Sequence, residues 1–282
     1  MSYVNSDSLV STEWLASRLS APDVRVVDAT FYLPTQNRDA REEYRRCHIP
    51  GAVFFDIDEI ADTSSDLPHM LPSPEKFASR VRKLGLGDGN RIIVYDASGF
   101  GAARVWWTFR VFGHSDVAVL DGGLKKWLAE GRPTEDLPPM ARERHFTARF
   151  NNLLVRDIDQ MRANLGSRRE QVLDARPKGR FEARDPEPRP GLRGGHIPGS
   201  CNLPAGDLVD PDTGAFLPAD ILRQRFTHAG IDLSRPVVTT CGSGVTAATL
   251  AFALHLIGVD DVAVYDGSWA EWGRSGDTPI EP

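Results

Sequence analysis

The chain has 282 residues, of which 41% are hydrophobic and 26% charged, and 33 Lys and Arg against 39 Asp and Glu leave a net charge of −6. That length suits two domains of ordinary size, the composition excludes a disordered or fibrous chain, and the acidic balance argues against non-specific nucleic-acid binding. No run approaches the ~18 apolar residues of a membrane span, and the first fourteen residues carry Asp7 and Glu13 without the apolar core of a secretory signal. The expectation is a cytoplasmic protein without membrane or nucleic-acid partners. Cys47, Cys201 and Cys241 are too few and too scattered for a disulfide framework or a CxxC zinc site, which fits a reducing compartment.

In chain order, residues 24–27, 91–95 and 117–120 read as short buried strands, with helical spacing over 74–84 and 104–112 between them. Pro133, Pro138 and Pro139 then break the pattern within a charged stretch, so the join between domains is expected in 133–150. Strands return at 171–174, 236–240 and 262–265, and helices at 218–228 and 246–257. The words themselves also return in order. Val27-Asp28-Ala29 comes back as Leu173-Asp174-Ala175, and His48-Ile49-Pro50-Gly51 as His196-Ile197-Pro198-Gly199. Val119-Leu120-Asp121-Gly122-Gly123 comes back as Val264-Tyr265-Asp266-Gly267-Ser268, and Trp127 as Trp272. Landmarks in register mean a duplicated domain. The prediction is an α/β chain of two tandem domains, 1–140 and 141–282, each a parallel sheet flanked by helices on both faces. Ligand sites are expected at the carboxyl ends of the strands.

What both copies keep serves the shared scaffold, so their differences locate chemistry. The central strand of the first copy runs into Asp96-Ala97-Ser98-Gly99-Phe100-Gly101, that of the second into Cys241-Gly242-Ser243-Gly244-Val245-Thr246. Only the second places a thiol at the strand end. Small residues there let backbone N–H groups turn inward, and the helix that follows brings its positive end to the sulfur. Both effects favour the thiolate, so the Cys241 pKa is expected below the free value of about 8.5, as a nucleophile requires. A Cys-x5-Arg phosphatase needs arginine six residues after the cysteine, where this chain has Ala247.

The Cys241-Gly242-Ser243-Gly244-Val245-Thr246 run, the two His-Ile-Pro-Gly words and Tyr265-Asp266-Gly267-Ser268-Trp269 resemble the two-domain rhodanese family over nearly the whole chain, and within it the 3-mercaptopyruvate sulfurtransferases. The resemblance implies tandem rhodanese-like domains: a non-catalytic first domain with Asp96 at the cysteine position, a catalytic second domain, and a site at their interface. It implies sulfur transfer from 3-mercaptopyruvate through a Cys241 persulfide to a thiol such as thioredoxin, or to cyanide, with release of pyruvate and no metal or organic cofactor. Thiosulfate-directed relatives carry basic residues directly after the cysteine, where this chain has Gly242 and Ser243. Thiosulfate transfer, and a persulfide carrier or redox sensor without turnover, are the alternatives.

A small anionic donor needs guanidinium groups, and six Lys and Arg against three acidic residues between positions 176 and 193 supply a local positive excess. By resemblance Arg180 and Arg189 take the substrate-binding positions, with Gly242, Gly244, Val245 and Thr246 lining the site. Ser243 is the expected proton donor to the departing enolate. The family also pairs a first-domain histidine and an upstream aspartate with this serine, and His48 and Asp39 are the candidates here. His196 fills the same place as His48 in the other copy, which equally suits a residue that merely holds the Pro-Gly turn.

Overall fold

Short β-branched runs make the strands, and they assemble twice in the same way. In this computed structural model, which describes residues 2–274 and 276–282, the first sheet consists of β1 (Leu9–Val10), β2 (Val24–Asp28), β3 (Val53–Phe54), β4 (Arg91–Tyr95) and β5 (Val117–Leu120). The second consists of β6 (Val155–Arg156), β7 (Gln171–Asp174), β8 (Cys201–Asn202), β9 (Val237–Thr240) and β10 (Val262–Tyr265). Their orders, β1-β5-β4-β2-β3 and β6-β10-β9-β7-β8, are the same topology repeated. All pairings are parallel, with Val26 opposite Ile93 in one sheet and Val172 opposite Val238 in the other. The four two-residue edge strands escaped the sequence reading because two residues carry no period.

The expected helices form at Pro74–Lys83, Gly101–Val111, Ala219–His228 and Ala247–Leu256. Pro74–Lys83 starts where its sequence says it should: the Ser73 hydroxyl accepts from Lys76 N, Pro opens the first turn, and Phe77 and Val81 turn inward. Ala247–Leu256, apolar except for Thr249 and His255, is buried on nearly every side, as a helix apolar all round must be. Its cover is the first domain. Trp106 stands edge-on to Phe252 with ring centroids 4.7 Å apart, and a single hydrophobic core runs from Val27, Phe77 and Trp106 through Leu250 and Phe252 to Val264. Each sheet's outer face has its own smaller core, around Tyr95 and Trp127 in one and Tyr265 and Trp272 in the other.

The two copies face one another about an approximate twofold axis. Arg110 and His255, the same position in each copy, meet at 3.2 Å. Asp121 accepts from Phe216 N at 2.9 Å and its repeat Asp266 accepts from Leu71 N at 2.7 Å, so each domain grips the other through the same bond. The N-terminal arm adds a strap, with Val4 N donating to Leu256 O at 2.9 Å and Tyr3 Oη to Leu217 O at 2.8 Å. Residues 136–150 form no helix or strand and run along the first domain, where Phe146 packs edge-on to Phe77. Among the described residues no helix is long and apolar enough to cross a membrane.

Candidate active site

Cys241 follows β9 directly and is 2% exposed. Its amide donates to Ser268 Oγ at 3.2 Å and its carbonyl accepts from Trp269 N at 2.9 Å, which fixes the residue to the start of the helix Ser268–Trp272. The loop then turns through Gly244 at φ +78°, a conformation open to glycine, and enters the helix Ala247–Leu256 at Thr246. A side chain at Gly244 would stand 2.7 Å from Asp266 O, and one at Gly242 would stand 3.1 Å from the Arg180 guanidinium. The glycines are what let a backbone carbonyl and the guanidinium groups of Arg104 and Arg180 crowd the loop. Cys241, Gly242, Ser243, Val245 and Thr246 line a cavity of about 340 Å³ with Arg180, Arg189, Phe31 and Phe100. Gly244 turns behind it toward Arg104.

The basic cluster sorts into two kinds. Arg176 is buried and committed, its guanidinium bound to Asp174 at 2.6 Å and to Glu187 at 2.8 Å. Arg193 is spent on the carbonyls of Trp272 and Thr278, and Arg184 pairs with Glu182. Arg180 reaches the cavity while held by Glu187 at 2.5 Å. Arg189 is different: among the described residues no carboxylate lies within ion-pair distance of it. Its Nη2 stands 3.4 Å from Ser243 Oγ and 3.2 Å from His69 Nε2. Burial pulls its pKa down, helped by Arg180 and opposed by Cys241, Asp58 and Glu187. A half-buried cation without a carboxylate in ion-pair range thus shares the cavity of the Cys241 thiol.

The structure places the expected histidine and aspartate outside the lining of the Cys241 cavity. His48 is fully buried away from the cavity: its ring stacks on Tyr44, Nδ1 faces Tyr44 O at 2.6 Å, and its amide donates to Glu135 O. His196 repeats this on Phe181 and Glu281, so both histidines hold a Pro-Gly turn to a returning chain end. Asp39 caps the helix Ala40–Arg46 by accepting from Glu42 N. His69 and Asp58 stand behind Arg189 instead, with His69 Nδ1 2.7 Å from Asp58 Oδ1. Bonding to His69 is the main reason the Asp58 carboxyl sits below its ordinary pKa, with Arg189 contributing. The Asp58 carboxylate thus stands at Nδ1 of the ring and the Arg189 guanidinium at Nε2. His69 has φ +61°, unusual for a residue with a Cβ. Its repeat position is Gly214, at φ +74°. Laying the two copies side by side therefore shows a histidine where the backbone calls for glycine, a signal that could have singled out His69.

The sequence pattern of the Rhodanese-like domain matches residues 11–130 and again 157–275. The chain belongs to the rhodanese-like family. It is 44% identical over 272 residues to 3-mercaptopyruvate sulfurtransferase of Homo sapiens, covering 94% of this chain and 91% of that one. It is 45% identical over 275 residues to thiosulfate sulfurtransferase of Mus musculus, covering 95% and 92%. Among solved structures, the 3-mercaptopyruvate sulfotransferase SseA from Escherichia coli matches with a TM-score of 0.86 at 39% identity, covering 94% of this chain and 99% of that one. This rhodanese-like chain is a sulfurtransferase.

The first rhodanese-like domain shows what became of the other loop. Asp96 occupies the cysteine position, and its carboxylate accepts from Ala102 N at 2.7 Å, from Ser98 Oγ at 3.1 Å and from Gly99 N. The helix end that would face a sulfur is filled by a carboxyl of the chain itself, whose pKa burial raises against these hydrogen bonds. Among the described residues no group of three or more His, Cys, Asp or Glu is placed to hold a metal ion.

Proposed function

We propose that the second rhodanese-like domain carries sulfur from 3-mercaptopyruvate on Cys241. The observation that carries this reading is Arg189, a guanidinium without a carboxylate partner that stands 3.4 Å from Ser243 Oγ in the cavity of Cys241. Arg180 and Arg189 fork onto the substrate's carboxylate and keto oxygen. The Cys241 thiolate attacks the substrate sulfur, a sulfur–sulfur bond forms, and the carbon–sulfur pair of electrons leaves with the three-carbon fragment as the pyruvate enolate. Ser243 delivers the proton to the enolate carbon, and His69 Nε2, having taken the proton of the substrate thiol, returns it to Ser243 while Asp58 holds the imidazole. Loop amides and the helix start stabilise the charge on the persulfide. An acceptor thiolate then attacks the outer sulfur and returns Cys241 to the thiolate.

Thioredoxin is the proposed acceptor and the cytoplasm the proposed location, in keeping with three free cysteines in the chain. The neutral Gly242 and Ser243 beside the thiol suit an α-keto acid better than a compact dianion such as thiosulfate. The test is steady-state turnover with 3-mercaptopyruvate and thiosulfate side by side, with thioredoxin and with cyanide as acceptors, and Cys241→Ser as the blank. A large kcat/KM advantage for mercaptopyruvate is expected. A preference for thiosulfate overturns the assignment of the donor, and a persulfide that forms without turnover makes the chain a carrier.

A further inference from the structure

We propose that Arg104, in the first-domain helix Gly101–Val111, is a positioning residue that locks His69 and the Cys241 loop into one working geometry. The inference rests on the roles of Cys241 and His69 given above. Arg104 lies behind the cavity with its side chain 3% exposed. Its Nη1 donates to Gly244 O at 3.2 Å and its Nη2 to His69 O at 2.6 Å. Nη2 also stands 2.7 Å from Asp266 Oδ1, and the guanidinium lies 4.5 Å over the Trp107 ring. The other oxygen of Asp266 accepts from Leu71 N. One flat cation thus joins three separate segments: the nucleophile's loop, the end of β10, and the strained turn that presents His69.

The duplication separates this role from a general need of the interface. At 145 residues' distance, His69 corresponds to Gly214, Leu71 to Phe216, Gly99 to Gly244, and Asp121 to Asp266. The mirror side keeps the bond from Phe216 N to Asp121 and the positive-φ glycine at position 99. It lacks the cation. The counterpart of Arg104 is Thr249, 2% exposed, whose Oγ1 has no hydrogen-bond partner among the described residues. The two domains therefore dock on the mirror side without an arginine. Arginine stands only on the side where a histidine and a thiol must be held together, and there its buried charge is matched by Asp266.

Three variants test this: Arg104→Met, which keeps bulk and removes every donor; Arg104→Lys, which keeps the charge but not the planar fork; and Thr249→Val, the mirror control. Each is first shown to be folded at the assay temperature by near-ultraviolet circular dichroism. Arg104→Met is expected to lower kcat for 3-mercaptopyruvate about tenfold to hundredfold, the scale of a catalytic group displaced by about 1 Å, with KM within about threefold. Arg104→Lys recovers only a small part of kcat and supplies the folded reference if the methionine variant does not fold. Thr249→Val keeps wild-type kcat. A folded Arg104→Met with wild-type kcat overturns the proposal, as does full rescue by lysine or an equal loss in Thr249→Val. An active Cys241→Ser would instead remove the underlying reading, so the two failures are distinguishable.

Discussion

Arg189→Ala tests the donor assignment most directly, because the structure says what is lost and what is not. The guanidinium has no ion-pair partner to strand, and its contacts are to Ser243 Oγ and His69 Nε2. A hydrogen bond to a charged group contributes about 1.5–3 kcal/mol. Arg189 is partly open to solvent, which screens it toward the lower end, about 1.5 kcal/mol. At about 1.4 kcal/mol per decade that is roughly a tenfold loss of kcat/KM. The loss is expected chiefly in KM for 3-mercaptopyruvate, with a smaller effect on thiosulfate, which has no carboxylate to bind. Stability should move the other way. Burial already opposes the charge on Arg189, so its removal leaves the melting temperature unchanged or raised. Steady-state kinetics with both donors and a thermal melt of the same preparation check these outcomes. Equal losses on the two donors, or a melting temperature that falls by several degrees, would mean that Arg189 holds the fold and not the substrate.

Cys241→Ser is expected to abolish turnover with every donor while keeping the fold, and mass spectrometry after exposure to donor should find no added sulfur at position 241. Retained turnover in a clean preparation contradicts the nucleophile. Ser243→Ala is expected to lower kcat for mercaptopyruvate, where an enolate must be protonated, and to affect thiosulfate less; an unchanged kcat hands the proton to water. His255 gives a stability test at the interface. Burial, and secondarily Arg110, lower its pKa to about 4 from 6.5. Between those values the unfolded chain binds the proton and the folded one does not, so the stabilisation is complete above pH 6.5 and is lost as pH falls toward 4, at most about 3 kcal/mol. Melting temperature against pH should show that slope in the wild type and a flatter one in His255→Gln; parallel curves would refute the assignment.

The strands that carry the fold were legible because their β-branched runs are long enough to show a pattern and because every landmark appears twice. The loop of Cys241 was legible for the opposite reason, since it breaks the repeat. Arg176 shows how composition misleads: it counted toward a substrate-binding surplus, yet Asp174 and Glu187 neutralise it within the fold. No count of charges reveals which are already paired. His69 lay in a Pro-rich loop and Asp58 in the four-residue helix Ile57–Ile60, both too short or irregular to show a period, and they meet Arg189 only when the first domain docks on the second. Arg104 looked like an ordinary helical arginine because two of its partners, Gly244 O and Asp266, belong to the other half of the chain.

The buried helix Ala247–Leu256 also sets a problem of timing. Trp106 and the inward face of Gly101–Val111 are covered by residues made about 145 positions later. At roughly 5–20 residues per second on the ribosome, the first domain waits roughly 7–30 seconds with that face open to water. During synthesis the first half is thus a sticky intermediate, and a chain cut between its domains leaves both halves in that condition for good.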